Sequence, residues 1–275
     1  MPDLFFKGFD KGQIKLGPKL ILVFAPHFDD EVLACGATIV KMIEKGWDVA
    51  VCGLTCNEEA YSMPPSDGYP IDRQMQAFYK EHEKKILDQW TKSMQILGYK
   101  SWYRMYGFSD MFLPENGPLI KLMIAVIREC RPQIVITTHY NDFHTDHRAS
   151  AVAAREAVYQ APRRGICGSI DSFKEPLLLF GEVDMEKITN MKCDVYSEVT
   201  LKQLEKKFEA LKCYEGFVDE HPSQGSIFDA NHGCDWIWSL ARLRGMHAGV
   251  KHAEVFEVGN LKTMFSIDKI EGVFK

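Results

Sequence analysis

Short apolar runs alternate along this chain with longer stretches of helical periodicity, and that alternation does most to narrow the fold. Strand-length runs stand at 20–24, 48–54, 102–106, 134–138 and 177–180, with a last one at 253–258. Amphipathic stretches occupy 32–45, 72–97, 118–130, 146–159 and 201–214. A strand, a crossover helix and a parallel strand bury such a pattern, so the expectation is an α/β fold: a Rossmann-like, mostly parallel sheet flanked by helices. Pro132 supplies a stop between the helix at 118–130 and the strand that follows it. The chain shows no internal repeat or low-complexity tract, and at 275 residues with 46% hydrophobic side chains it can form one domain over 1–275.

Two of these strands are followed at once by histidine and carboxylate. Pro26-His27-Phe28-Asp29-Asp30-Glu31 comes after the first run, and His144-Thr145-Asp146-His147 comes shortly after the run at 134–138. In an open parallel sheet, ligands bind outside the carboxyl ends of the strands, so segments distant in sequence can meet there. His27 and Asp30, three apart at the start of a helix, can face one ion, and His147 can add a third ligand. Two imidazoles and one carboxylate leave a coordination position open, as catalytic zinc requires. The same ligand types form the facial triad of non-haem iron enzymes, which need no further carboxylate base. Asp29 stands beside the set as a candidate general base. His144 is a candidate for stabilising an oxyanion, with Asp146 holding its ring and favouring the protonated form.

Each residue also has an ordinary explanation. Asp29, Asp30 and Glu31 precede a helix, where acidic side chains cap free amides and complement the helix dipole. A lone histidine is most often a polar loop residue. Two strand ends presenting histidine and aspartate together favour the shared metal site.

The two motifs, with a glycine-containing helix after the first, resemble those of the PIG-L/LmbE-like de-N-acetylases. Weaker similarities extend further, through 107–113, Lys206 to Leu211 with His221-Pro222-Ser223-Gln224, Arg244-Gly245 and Ala253-Glu254-Val255-Phe256. The resemblance implies zinc on His27, Asp30 and His147, Asp29 as general base, and His144 paired with Asp146 at the tetrahedral intermediate. Fe2+ or another divalent metal remains open as the ion. The matching segments nominate Asp110, Asp142 and His221 as substrate contacts. The implied reaction is hydrolysis of a linear amide, removing the N-acetyl group of an amino sugar or its conjugate. Alternatives are an amidase acting on a non-sugar or thiol-conjugate amide, and a non-catalytic glycan- or metabolite-binding protein. Phe28 and Thr145 replace the family's usual prolines, which bears on loop rigidity and pocket shape.

Composition sets the remaining bounds. A net charge of −5 with mixed signs offers no basic stripe for nucleic acid. No apolar run approaches the roughly 20 residues of a membrane span, and no secretory leader is visible, so a cytoplasmic protein is expected. Eight cysteines lack a C-x-x-C pair and read as reduced thiols. Self-association into a homo-oligomer is left open. The loop 57–70 and the segment 215–235 are candidate pocket walls, and His139 is a candidate neighbour of the metal site.

Overall fold

The computed structural model describes residues 18–55, 73–99, 103–108, 110–183, 191–214, 235–260 and 265–266. The elements run β1 (Leu20–Ala25), α1 (Asp30–Glu44), β2 (Asp48–Thr55), α2 (Arg73–Leu97), β3 (Tyr103–Phe108), α3 (Gly117–Cys130) and β4 (Ile134–Thr138). They continue with α4 (Thr145–Gln160), β5 (Leu177–Gly181), β6 (Val195–Glu198), α5 (Leu201–Leu211), α6 (Asp235–Ala248), β7 (Ala253–Val258) and β8 (Phe265–Ser266). One sheet in the order β3-β2-β1-β4-β5-β7-β6-β8 joins all the strands. The block from β3 to β5 is parallel, as expected, and β7 adds antiparallel to both β5 and β6.

Side-chain alternation along β1 divides the core into two layers. Ile21 and Val23 pack on one face with α1, α2, α5 and α6, whereas Leu20, Leu22 and Phe24 pack on the other with α3 and α4. Burial on both faces explains why β1 reads as an unbroken apolar run rather than an alternating one.

The chain departs from β1 toward β2 and β3, and from β4 toward β5, so the strand order reverses between β1 and β4. That switch point is where an open α/β sheet leaves a crevice. Side-chain bonds fasten its edges. Thr55 donates through both its amide (3.0 Å) and its hydroxyl (2.8 Å) to the Pro26 carbonyl, and Thr137 Oγ1 donates to the Phe24 carbonyl at 2.9 Å. Phe28 turns away from the crevice into the core against Trp90, with ring centroids 4.5 Å apart. A Cβ at Gly53 would lie 2.6 Å from the Phe28 ring, so β2 needs glycine at that point.

The cysteines among the described residues are free thiols, and no helix described is long and apolar enough to cross a membrane. The loop 57–70, His221 and most of 215–235 lie outside the described residues.

Candidate metal centre

Three of the expected side chains converge at the switch point. His27 leaves the end of β1, Asp30 opens α1 and His147 lies in the first turn of α4. His27 Nδ1 is 3.2 Å from His147 Nε2 and 3.1 Å from Asp30 Oδ2, while His147 Nε2 is 3.2 Å from Asp30 Oδ1. All three residues are buried. Donor atoms about 2.0–2.2 Å from a tetrahedral ion stand roughly 3.3 Å apart, close to this triangle.

The outward side of each imidazole decides what faces inward. His147 Nδ1 meets Asp142 Oδ2 at 2.8 Å, and His27 Nε2 meets Asp110 Oδ1 at 3.0 Å and Asp146 Oδ2 at 3.4 Å. With an ion in the triangle the inner nitrogens would be its donors, and the ring protons would then point outward to Asp142, Asp110 and Asp146. Two lone pairs and a carboxylate at this spacing repel unless a cation lies among them. Outer carboxylates that orient ligand imidazoles are the usual support of a metal site. Without an ion, protons fill the same need. Burial opposes charging His147, but Asp30 and Asp142 outweigh it and push the imidazole up to about 9. His27 is raised well above its ordinary value by Asp30, Asp110 and Asp146 against the same opposition. Asp30 is driven the other way, since the two imidazoles outweigh its burial.

Asp110 and Asp142, expected to contact substrate, are both buried and turned toward imidazoles. Asp142 also accepts from the His144 amide at 2.8 Å, tying the loop before α4 to His147. The sequence signal was available: each aspartate stands close to a motif histidine or in a motif-like segment, but only the fold shows which way it points.

The expected pairing of Asp146 with the His144 ring is corrected by the geometry. The Asp146 carboxylate accepts from the Met111 amide (2.7 Å) and the Leu113 amide (3.0 Å) and faces His27. Only its backbone N–H reaches His144, donating to Nδ1 at 3.3 Å as a helix N-cap bond. Burial, followed by the neighbouring His27 and His147, lowers His144 to about 4, so the ring is neutral rather than protonated at pH 7. With Nδ1 accepting, the proton of the neutral ring sits on Nε2. His144 stacks on His147 at 4.7 Å between centroids and belongs to a His27–His144–His147 group whose ligand atoms lie within 4.8 Å of one another. A proton on Nε2 lets the ring donate a hydrogen bond from that nitrogen.

Asp29 occupies the N-cap position of α1 but forms no side-chain cap bond. Burial and the adjacent Asp30 carboxylate push it up to about 6. His139 is fully buried and reaches Glu257 Oε2 at 3.0 Å through Nε2, while Nδ1 accepts from the Asn141 amide at 3.0 Å. It therefore shapes the loop leading to Asp142 and makes no contact with the ligand triangle. Met111, Phe112 and Phe143 are exposed on the segments that flank the site.

The chain is similar in sequence and in fold to known proteins. The model of the PIG-L family, described as GlcNAc-PI de-N-acetylase, matches residues 22–158, which contain the whole ligand triangle and its outer carboxylates. Diacetylchitobiose deacetylase of Thermococcus kodakarensis is 32% identical over 143 residues, covering 51% of this chain and 49% of that protein. The chain spans about half the length of the curated relatives that it matches first. The N,N'-diacetylchitobiose deacetylase structure from Pyrococcus horikoshii superposes with a TM-score of 0.67 at 19% identity, over 87% of this chain and 83% of that one. The 4-carboxy-2-hydroxymuconate hydratase of Pseudomonas putida KT2440 superposes with a TM-score of 0.68 at 18% identity, over 90% and 98%. At such identities the likeness is one of fold, which leaves the activity to be argued from the site.

Proposed function

Because the chain carries a PIG-L family domain at residues 22–158, we propose that it is a metal-dependent N-deacetylase acting on an N-acetylated amino sugar or its conjugate. The observation that carries this reading is the inward-facing triangle of His27, Asp30 and His147, at 3.1–3.2 Å, next to an aspartate with no capping bond. These residues would hold the ion, and zinc fits a small, mixed nitrogen and oxygen donor set. A zinc ion there supplies Lewis acidity toward an amide carbonyl and makes water easier to deprotonate.

The protein's own groups account for the proton movements. Asp29, held up near 6, is mostly ionised at pH 7 and accepts the proton of the attacking water. The C–O bond forms as the carbonyl π pair moves onto oxygen, and neutral His144 donates a hydrogen bond from Nε2–H to that oxyanion while keeping its proton. Collapse re-forms the carbonyl and breaks the C–N bond, while Asp29 returns the proton to the leaving nitrogen. Acetic acid and the amine result, and the acid proton passes to the amine, so that acetate and the ammonium form leave at neutral pH. Asp142, Asp110 and Asp146 keep the two ligand imidazoles in the required tautomers.

Mass spectrometry of the zinc-loaded protein incubated with N-acetylglucosamine glycosides, N-acetylated sugar nucleotides and free N-acetyl sugars tests the reading. Appearance of the free amine in one class, and its absence with Asp29→Asn, is expected. Loss of acetyl from none of them, or only from non-sugar amides, would remove the amino-sugar assignment.

A further inference from the structure

Helix α1 is broken at Cys35, whose φ of −152° and ψ of 20° are not helical. An unbroken helix would pair the Ala37 amide with the Leu33 carbonyl. Here the Leu33 carbonyl accepts from Lys207 Nζ at 2.7 Å, and the Ala37 and Thr38 amides donate to Glu254 Oε1 (3.2 Å) and Oε2 (2.7 Å). Lys207 and Glu254 join each other at 2.7 Å, so one buried ion pair from α5 and β7 occupies both sides of the opening. The Lys207 stem runs past Gly36, where an added Cβ would lie 3.1 Å from Lys207 Cγ. β5 also comes close here: a Cβ on Gly181 would lie 2.9 Å from that of Ala34.

We propose that Lys207 and Glu254 are positioning residues: they hold α1 open at Cys35 and thereby fix the short first turn that presents Asp29 and Asp30 to the metal site. The inference rests on the metal-site reading above. A buried ion pair does little for net stability, because desolvation offsets its attraction, and its attested use is to select one conformation. This pair is spent on backbone groups that would otherwise close the helix. Straightening α1 would swing the first turn against its body and shift Asp30 relative to His147, which is held on a different helix. Metal-binding constellations tolerate displacements of only about 0.5 Å.

The test compares zinc affinity, measured by competition with a chromophoric chelator, with the stability of the metal-free protein. The double variant Lys207→Met/Glu254→Gln removes both charges, so no lone charge is left buried. It should fold with a metal-free Tm near that of the wild type, yet bind zinc about 10-fold or more weakly, the range seen when support of a metal ligand is lost. Its kcat should fall with little change in KM, and amide hydrogen exchange over 30–38 should accelerate. Gly36→Ala, which crowds the Lys207 stem without removing a charge, should weaken zinc binding in the same direction and provides the readout if the double variant does not fold. A folded double variant, or failing that Gly36→Ala, with zinc affinity within twofold of wild type would overturn the positioning role. His147→Ala separates this from the site assignment: zinc lost there but unchanged in the double variant refutes the clamp alone, whereas zinc kept in His147→Ala refutes both.

Discussion

Replacing Asp142 by asparagine should weaken zinc binding by about 10- to 100-fold while leaving the fold intact. The carboxylate has two tasks: Oδ2 accepts from His147 Nδ1 at 2.8 Å and Oδ1 accepts from the His144 amide at 2.8 Å. Asparagine has one acceptor oxygen. If that oxygen keeps His147, the NH2 group is left against the His144 N–H, donor to donor, and the loop into α4 loosens. If it keeps His144, the NH2 group faces His147 Nδ1 and favours the tautomer with its proton on Nε2, aimed at Asp30 and the ion. In both orientations a hydrogen bond to a charged group is lost, worth about 1.5–3 kcal/mol. At roughly 1.4 kcal/mol per tenfold this agrees with the usual loss for an outer partner of a metal ligand. Competition against a chelator of known affinity measures it, with circular dichroism as the check on folding. Zinc affinity within twofold of wild type in a folded Asp142→Asn protein would refute the claim that Asp142 sets the His147 tautomer.

Further outcomes follow from the same geometry. Asp29→Asn should keep its zinc and lose turnover by about 10²–10⁴-fold, the share of a general base, as followed by acetate release at saturating substrate. The acid limb of kcat/KM should lie near pH 6, because burial and the adjacent Asp30 raise Asp29 to about 6; a limb well above 7 would disqualify Asp29. Metal-free protein should lose stability as pH rises from about 6.5 to 9: a folded-state imidazole raised to about 9 stabilises fully below the unfolded value and loses that contribution above its own. Thermal scans should show a falling Tm over that window for the metal-free protein and a flatter one for the zinc-loaded protein; the same slope in both would contradict it. Burial raises Glu31 to about 8 against the hydrogen bonds it accepts from Trp90 (2.8 Å) and Tyr99 (3.1 Å), so it is held protonated at neutral pH and contributes a loss of the same sign. Glu31→Gln should keep the neutral-pH Tm within a few degrees and reduce that alkaline loss, and a drop of ten degrees at pH 7 would argue for an ionised Glu31. Arg128, buried on α3, donates to the Ala161, Ile166 and Cys167 carbonyls among others; Arg128→Met should lower stability by about 3 kcal/mol or more, as read by urea unfolding, without altering zinc affinity.

The parts of the fold that rest on burial could be read from the sequence. The runs at 134–138 and 253–258 are β4 and β7 to the residue, because strands covered on both faces concentrate their apolar side chains. β6 escaped notice since in Val195–Glu198 only Val195 and Ser197 are buried, leaving no apolar run to see. α6 escaped for a similar reason: Arg, Gly and His interrupt its apolar face. The break in α1 has Gly36, next to Cys35, as its one weak local signal. Its cause lies in Lys207 and Glu254, more than 170 residues away in sequence.

The site divides in the same manner. His27, Asp30 and His147 could be paired from their positions after two strand ends, because the topology of parallel sheets brings those ends together. What the sequence could not supply was direction. Asp110, Asp142 and Asp146 look alike as aspartates near histidines. Only the path of the Met111 and Leu113 amides reveals that the Asp146 carboxylate is engaged by backbone and His27 rather than bonded to the His144 ring.

The central claim is that His27, Asp30 and His147 form one metal centre, and metal content after reconstitution with zinc and removal of excess by dialysis tests it most directly. The account predicts about one zinc per wild-type chain, the same in Asp29→Asn and His144→Ala, and close to none in His147→Ala. Equal zinc in wild type and His147→Ala, or zinc lost from His144→Ala instead, would contradict it.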